Sequence, residues 1–230
     1  MGGGEWHASL WSGDAASWTD LHPAGASDSG AEGISGGQVV GYAAWATDIG
    51  DATTRASLWS RTADSWTRTD LNPDVASESN ALGVSGGQQV GWADVDGNRH
   101  ASLWSGSAAS WTDLHPAGAY FSYAYGVSGG WQVGYADTAR GQKACLWRGT
   151  AESWVDLHAL LPPGVYGHCR ATNIAVSGND MWITGWAMDD SKDYPEAMLW
   201  HNVIPEPSSL IALASGLGSL GGVFFRRRRT

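Results

Sequence analysis

One motif, Ala-x-Leu-Trp, recurs through most of the chain and limits most strongly how the chain can fold. Its copies end at Trp11, Trp59, Trp104, Trp147 and Trp200. Between them lie a second Trp followed by Asp-Leu, a Gly-Ile/Val-Ser-Gly-Gly stretch, and a Gly-aromatic pair. Four short β-prone segments in about 45 residues are typical of one β-propeller blade, a sheet that buries its faces against neighbouring sheets. The sequence therefore predicts an all-β fold, a β-propeller or propeller fragment of about four blades.

The order of the segments predicts the order of the strands. We expect Gly-Val-Ser to be the innermost strand of each blade, followed by Gln-Val-Val-Gly-Tyr, Ala-Ser-Leu-Trp and finally Trp-Thr-Asp-Leu. The chain then contains two outer strands, three complete blades and three further strands, seventeen in all, whereas four closed four-stranded blades need sixteen. Two interpretations stay open: the C-terminal part of a longer exported propeller, or a four-bladed ring with one redundant strand. Gly pairs such as Gly36-Gly37 suit the positive φ of tight hairpins.

These segments also resemble the HAF extracellular repeat. His7-Ala8-Ser9-Leu10-Trp11 and His100-Ala101-Ser102-Leu103-Trp104 match the start of that repeat, with Ser in place of Phe. The resemblance covers roughly residues 6–200. It implies a propeller-like fold, and the family has no common chemistry to carry over.

The C-terminal residues differ from everything before them. Pro205-Glu206-Pro207 leads into the uncharged, apolar run Ser208–Phe225, and Arg226, Arg227, Arg228 and Arg229 follow it. A helix of that length spans about 27 Å, close to the thickness of the hydrocarbon layer, and the arginines would stay on the cytoplasmic side. The sequence therefore predicts a repeat body over residues 1–203 and, over residues 204–230, an anchor segment with one C-terminal transmembrane helix.

These three parts, in this order, resemble the PEP-CTERM sorting signal. The resemblance implies that Pro205, Glu206 and Pro207 and the cluster Arg226–Arg229 form a sorting signal. It also implies an exosortase, a membrane processing enzyme, as partner. The body would then be exported to the cell envelope, the surface or the extracellular space, with the C-terminal membrane anchor present before processing.

Charge excludes one class of partner. The formal net charge is −10, and residues 1–204 carry 9 basic and 22 acidic residues, a net charge of −13. Nucleic-acid binding needs clustered Lys and Arg to neutralise phosphates. We therefore expect no nucleic-acid partner.

The sequence gives no support for an enzyme. Gly33–Gly37, Gly83–Gly87 and Gly126–Gly130 fit the GxSxG nucleophile elbow, but an elbow needs a strand-to-helix turn with a nearby His and acid. Because the motif recurs once per repeat, we interpret it as a structural turn and expect no catalytic residue and no cofactor. Three histidines, His22, His115 and His158, follow Asp-Leu on separate predicted outer edges, so we also expect no metal site.

One copy of the repeat departs from the others in its aromatic content. It carries Tyr120, Phe121, Tyr123, Tyr125 and Trp131 where other copies have small, acidic or amide residues. Planar side chains on one face could stack against sugar rings, which would make a polysaccharide a partner. Alternatively, they fill a larger gap between blades, since aromatic side chains usually bury area.

The two cysteines leave a similar choice. Cys145 replaces Ser in an Ala-x-Leu-Trp strand, and Cys169 lies where the chain enters the next blade. Outside the cytoplasm, two exposed thiols tend to pair as a disulfide; two buried thiols would stay free.

Together these features predict a non-enzymatic, exported cell-surface or extracellular-matrix repeat protein. The alternative function is a carbohydrate-binding module that uses the aromatic patch.

Overall fold

The structure is a computed structural model that describes residues 5–46, 52–63 and 65–201. In these ranges the chain forms five antiparallel sheets, which confirms the all-β class. The first sheet pairs β1 (Ser9–Leu10) with β2 (Thr19–Asp20). The second has the order β3 (Asp28–Ser35), β4 (Gln38–Ala46), β5 (Ala52–Arg61) and β6 (Trp66–Asp70).

The next three sheets repeat this order along the chain. The third consists of β7 (Ala76–Ser85), β8 (Gln88–Val95), β9 (Asn98–Trp104) and β10 (Thr112–Asp113). The fourth consists of β11 (Phe121–Ser128), β12 (Trp131–Thr138), β13 (Gly141–Trp147) and β14 (Val155–Asp156). The fifth consists of β15 (Tyr166–Ser177), β16 (Asp180–Asp189) and β17 (Pro195–His201). Short 3₁₀ turns occupy Ala15–Ser17, Ala108–Ser110, Ala151–Ser153 and Leu157–Leu160.

The strand order agrees with the expectation from the repeat. Gly-Val-Ser provides the first strand of each complete sheet, and the Trp-Thr-Asp segment provides the last. The described residues hold seventeen strands in groups of two, four, four, four and three. The hydrophobic spacing was therefore sufficient to place every strand in its sheet.

Apolar side chains hold neighbouring sheets together, and each sheet uses its two faces differently. Val40 and Leu58 of the second sheet pack in one cluster with Ala81, Ala93 and Trp104 of the third. The same division, Leu and Val on one side and Ala and Trp on the other, recurs at the next junction. Burying one Trp removes on the order of 150 Å² from water, which stabilises the stack by about 4 kcal/mol.

The Trp and Leu side chains that are buried in the middle of the stack are exposed at its two ends. Trp59, Trp104 and Trp147 are among the most buried side chains, whereas Trp11, in the first sheet, is 57% exposed. Leu199 of the fifth sheet is 59% exposed, although Leu58, Leu103 and Leu146 are buried. Because Trp faces the preceding sheet and Leu the following one, Trp11 and Leu199 have no covering sheet among residues 5–201 as described.

The glycine of the Gly-aromatic pair permits a close approach of two strands. The first strands of the four larger sheets, β3, β7, β11 and β15, each contain a bulge, which in the fourth sheet lies between Ala124 and Gly126. Opposite this bulge, a Cβ added to Gly134 would overlap the carbonyl oxygen of Tyr123. Gly36 has a different role. It lies in the hairpin turn with a φ of 57°, and a Cβ added there would meet no other atom within 4 Å.

The sequence also predicts a transmembrane helix near the C-terminus. Ser208–Phe225 lies outside the described residues. Among the residues that are described, none belongs to a helix with the length and hydropathy needed to cross a bilayer.

The two roles of glycine make different predictions for alanine substitutions. Gly134→Ala should lower the free energy of unfolding by about 3 kcal/mol, because the new methyl group must displace the backbone of β11. Gly36→Ala should cost only about 1 kcal/mol, the strain of a left-handed conformation without a steric overlap. Urea unfolding of both variants and the unchanged chain measures the difference, and equal losses would contradict the close approach at Gly134.

Candidate functional site

Three of the predicted patch residues converge on one face of the fourth sheet. Phe121, Tyr123 and Tyr125 lie on β11, and Tyr135 of β12 joins them. The rings of Tyr123 and Tyr135 are stacked, with centroids 5.1 Å apart and 9° between their planes, and the centroids of Tyr125 and Tyr135 lie 6.0 Å apart. We call these four residues the tyrosine cluster. Sequence analysis missed Tyr135, because each repeat has an aromatic residue at this position.

The other two predicted patch residues lie elsewhere. Trp131 is only 5% exposed and packs in the core between the fourth and fifth sheets, where the guanidinium of Arg148 lies 4.8 Å from its ring centroid. Tyr120 is exposed and precedes the cluster. Trp131 therefore fills space between two sheets, as the alternative interpretation of the aromatic residues describes.

Two arginines from neighbouring sheets bracket the tyrosine cluster. Arg99 of β9 lies over the ring of Trp92 at 4.3 Å, and its Nη1 donates to the hydroxyl of Tyr123 at 2.8 Å. Arg170 of β15 lies over Tyr135 at 4.2 Å, and its Nε donates to Oε1 of Gln142 at 2.8 Å. Burial raises the pKa of both Tyr125 and Tyr135, so both phenols stay neutral at physiological pH.

A second recurring arrangement, which we call the junction latch, joins each sheet to the next. A backbone N–H of an Ala-x-Leu-Trp strand donates to a side chain on the first strand of the following sheet, and the residue after Asp-Leu contacts the same side-chain atom. The four latches are Ala8, Ser29 and His22; Ala56, Ser79 and Asn72; Ala101, Ser122 and His115; Ala144, Cys169 and His158. The N–H groups lie 2.9 to 3.0 Å from the serine oxygens and 3.2 Å from the cysteine sulfur.

Hydrogen bonds in the latch between the third and fourth sheets fix the tautomer of His115. Nε2 of His115 lies 3.1 Å from the carbonyl of Ala119, which can only accept, so Nε2 carries the hydrogen. Nδ1 then accepts from the hydroxyl of Ser122 at 2.8 Å. Asn72 presents the same pair of groups, because its Oδ1 accepts from Ser79 and its Nδ2 donates to Ala76. This arrangement of donors and acceptors requires a neutral imidazole. Burial is the largest cause that lowers the pKa of His115, and electrostatic repulsion from the neighbouring His100 is the second.

Aspartates and a second set of histidines support two of the latches. Oδ1 of Asp113 accepts from the backbone N–H of His115, and Oδ2 lies 2.8 Å from Nδ1 of His100. The rings of His100 and His115 are stacked at 3.9 Å, and His7 and His22 form the same stack at the first junction. Sequence analysis did not group these histidines, because the two members of each pair lie 15 positions apart in the chain.

One of these groups has the composition of a metal site. The ligand atoms of Glu5, His7 and His22 lie within 4.8 Å of one another. However, both ring nitrogens of His22 are already hydrogen-bonded, to Ser29 and to Ala26. The rings of His7 and His22 are also nearly parallel, 8° apart, so one ion cannot lie in the planes of both rings. The geometry therefore fits the latch better than a metal ion.

The sequence left a disulfide and two free thiols open for the two cysteines, and in the structure they are not bonded to each other. Cys145 and Cys169 are free, buried thiols. Cys145 accepts from Nε1 of Trp154, as Ser102 accepts from Nε1 of Trp111, while Cys169 takes the serine position of the last latch. Burial raises the pKa of Cys169 to about 11, so it keeps the S–H that the latch needs.

The three GxSxG serines are the last strand residues before hairpin turns. Ser35, Ser85 and Ser128 end first strands, and each is followed by a Gly-Gly hairpin and another strand. Oγ of Ser128 accepts from the backbone N–H of Val176 in the next sheet, at 3.1 Å. These positions correspond to the structural turns that the repeat predicted.

Comparison with known proteins places a family motif at the end of the chain. Residues 203–229 match the PEP-CTERM protein-sorting motif. The motif implies an exported protein that is sorted to the cell surface and processed by an exosortase, a membrane enzyme. No curated protein matches the chain. The described strands and this motif thus define the class: an all-β repeat protein that carries a PEP-CTERM sorting motif.

The latch predicts a specific sensitivity at Ser122. Ser122→Ala would leave the buried N–H of Ala101 and Nδ1 of His115 without partners, and should lower the free energy of unfolding by about 1–3 kcal/mol. Ser122→Cys, which copies the natural latch at Cys169, should cost clearly less. Urea unfolding tests both variants, and equal losses for Ala and Cys would contradict a hydrogen-bonding role.

The latch also predicts how stability depends on pH. Because the pKa of His115 is lowered in the folded chain, the unfolded chain binds more protons at this residue. The free energy of unfolding should therefore be highest above the pKa of a free imidazole, about 6.5, and should fall as the pH drops below it. Urea midpoints at about pH 8 and about pH 5.5 should differ less in His115→Asn than in the unchanged chain.

The second latch provides a matched control for this pH effect. Asn72→His introduces a further titrating imidazole at an equivalent position, so it should increase the difference between the two midpoints. If His115→Asn and Asn72→His both keep the pH dependence of the unchanged chain, the latch does not require a neutral ring.

Proposed function

We propose that this chain is a non-enzymatic repeat protein that is exported and sorted to the cell surface or the extracellular matrix. The PEP-CTERM match over residues 203–229 carries this proposal, and it begins directly after β17 ends at His201. Removal of a signal at this place would leave the described sheets intact, and Pro205–Pro207 and Arg226–Arg229 are the proposed recognition elements for an exosortase. The run Ser208–Phe225 is the proposed membrane anchor before processing, because it is apolar and long enough to span a bilayer.

We further propose that the five sheets are blades of a propeller-like body made of HAF-type repeats. The first strands β3, β7, β11 and β15 contact one another in chain order, as inner strands around a common axis would. Each junction also uses the same latch and the same division of Leu and Trp. The HAF resemblance rests on His7–Trp11 and His100–Trp104, whose histidines lie beside the latches.

Several chemistry-bearing residues have structural roles that support a non-enzymatic body. The imidazoles of His22 and His115 hold neighbouring sheets together through serine hydroxyls. The GxSxG serines terminate strands at hairpins. These groups are therefore engaged in the fold itself.

A second candidate function is carbohydrate binding, as predicted from the aromatic patch. The observation that favours it is the convergence of Phe121, Tyr123 and Tyr125 with Arg99 at the junction of the third and fourth sheets. Aromatic faces and fixed hydrogen-bond donors are the groups that orient a sugar in a binding site.

The sorting proposal predicts that the tail is processed in a cell with a matching exosortase. The unchanged chain should lose its C-terminal segment, whereas Pro205→Ala, Glu206→Ala and Pro207→Ala together should leave it attached. Intact-mass spectrometry of the chain from membrane and extracellular fractions measures this. Pro162→Ala with Pro163→Ala, which removes two prolines from an exposed segment of the body, serves as the control. If the Pro205–Pro207 variant also loses its C-terminal segment, or if the unchanged chain keeps it, the sorting role is overturned.

A further inference from the structure

Equivalent positions at the junctions between sheets carry different residues, and a residue set found at only one junction is not required by the shared backbone arrangement. At the junction of the third and fourth sheets, Asp94 and Arg99 are register partners next to Tyr123 of the following sheet. The corresponding residues are Ala44, Thr54 and Asn80 one junction earlier, and Asp137, Gln142 and Arg170 one junction later. The combination of Asp, Arg and Tyr therefore occurs at one of these three junctions, although all three share the same backbone arrangement.

This junction contains an open cleft. Its volume is about 190 Å³, and it is lined by Asp94, Gly97, Asn98, Arg99, Phe121 and Tyr123. At the following junction, the hydrogen bond from Arg170 to Gln142 links the corresponding positions directly. The cleft is smaller than the several hundred Å³ that hold a drug-sized ligand, so its size suits one small ring.

The polar groups of the cleft are held in place and keep free hydrogen-bonding capacity. The stacking on Trp92 and the hydrogen bond to Tyr123 fix the guanidinium of Arg99, which retains further N–H donors. Oδ1 of Asp94 accepts from Oγ of Ser77 and from the N–H of Gly97, both at 3.1 Å. Its other oxygen, Oδ2, accepts no hydrogen bond from the residues that the structure describes. A fixed donor and a free acceptor thus lie at the same opening.

We propose that this cleft binds one neutral pyranose ring, an assignment that rests on carbohydrate binding as the second candidate function. Vicinal hydroxyls of a sugar both donate and accept, so one can donate to Oδ2 of Asp94 while its neighbour accepts from Arg99. The ring of Phe121 borders the cleft and covers the apolar C–H face of the sugar. Residues 1–204 carry a net charge of −13, which repels anionic ligands. A neutral sugar is therefore the class of ligand that suits the cleft.

The test uses the full-length chain in a zwitterionic detergent, whose head group cannot compete as a sugar. Saturation-transfer NMR and titration with D-glucose, D-mannose, D-galactose and N-acetyl-D-glucosamine should reveal binding of at least one of them in the millimolar range. Asp94→Asn keeps the acceptor for Ser77 and Gly97 but removes the charged oxygen, and should weaken binding about tenfold. Phe121→Leu should weaken it to a similar extent by removing the planar ring.

Controls separate this site from the wider proposals. Tyr120→Ala, at an exposed side chain outside the cleft lining, should bind as the unchanged chain does, and urea unfolding should show that every variant is folded. If a sugar binds equally well to Asp94→Asn and Phe121→Leu, the cleft is the wrong site although carbohydrate binding stands. If none of the four sugars binds, both the cleft and the second candidate function are overturned, while tail processing, measured separately, still decides the sorting role.

Discussion

A buried side-chain hydroxyl or thiol shared between two sheets is the interaction on which the stack depends. At each junction, an N–H from one sheet donates to a side chain that belongs to the next. A buried N–H without a partner is costly, so the two sheets satisfy this group only when they are together and in register. Hydrophobic packing drives the sheets together, and the latch fixes how they align. The polar contact therefore provides specificity, while Trp and Leu provide most of the stabilisation.

Much of the fold was predictable because large residues, Trp and Leu, recur at a regular spacing along the sequence. Trp and Leu recur on alternate sides of the strands, so the number and order of strands followed from spacing alone. The role of Gly134 did not follow, because close approach to Tyr123 depends on a bulge that the spacing does not reveal. The latch was also missed, since Ser29, Ser79 and Ser122 are small, common residues that lie more than 20 positions from the N–H groups they accept from.

The candidate site was only partly predictable, for a similar reason. Phe121, Tyr123 and Tyr125, which depart from the repeat, lie close together in the structure, but Trp131 is part of the core. Asp94 and Arg99 carry the polar groups of the cleft, and in sequence they look like ordinary hairpin residues. Only the packing of one sheet against the next brings them to Tyr123. Cys169 shows the same limit, because its equivalence to the latch serines becomes visible only when the sheets are aligned by their register.

The short sequence distance across every latch has a consequence for how such a chain can reach its folded state. The N–H and its acceptor are separated by 21 to 25 residues at all four junctions, so each junction can close as soon as the next few strands have been synthesised or translocated. Loops of this size close at low entropic cost, and stacked units of this kind fold by propagation from neighbour to neighbour. A polypeptide threaded through a membrane from its N-terminus can therefore acquire structure unit by unit on the far side.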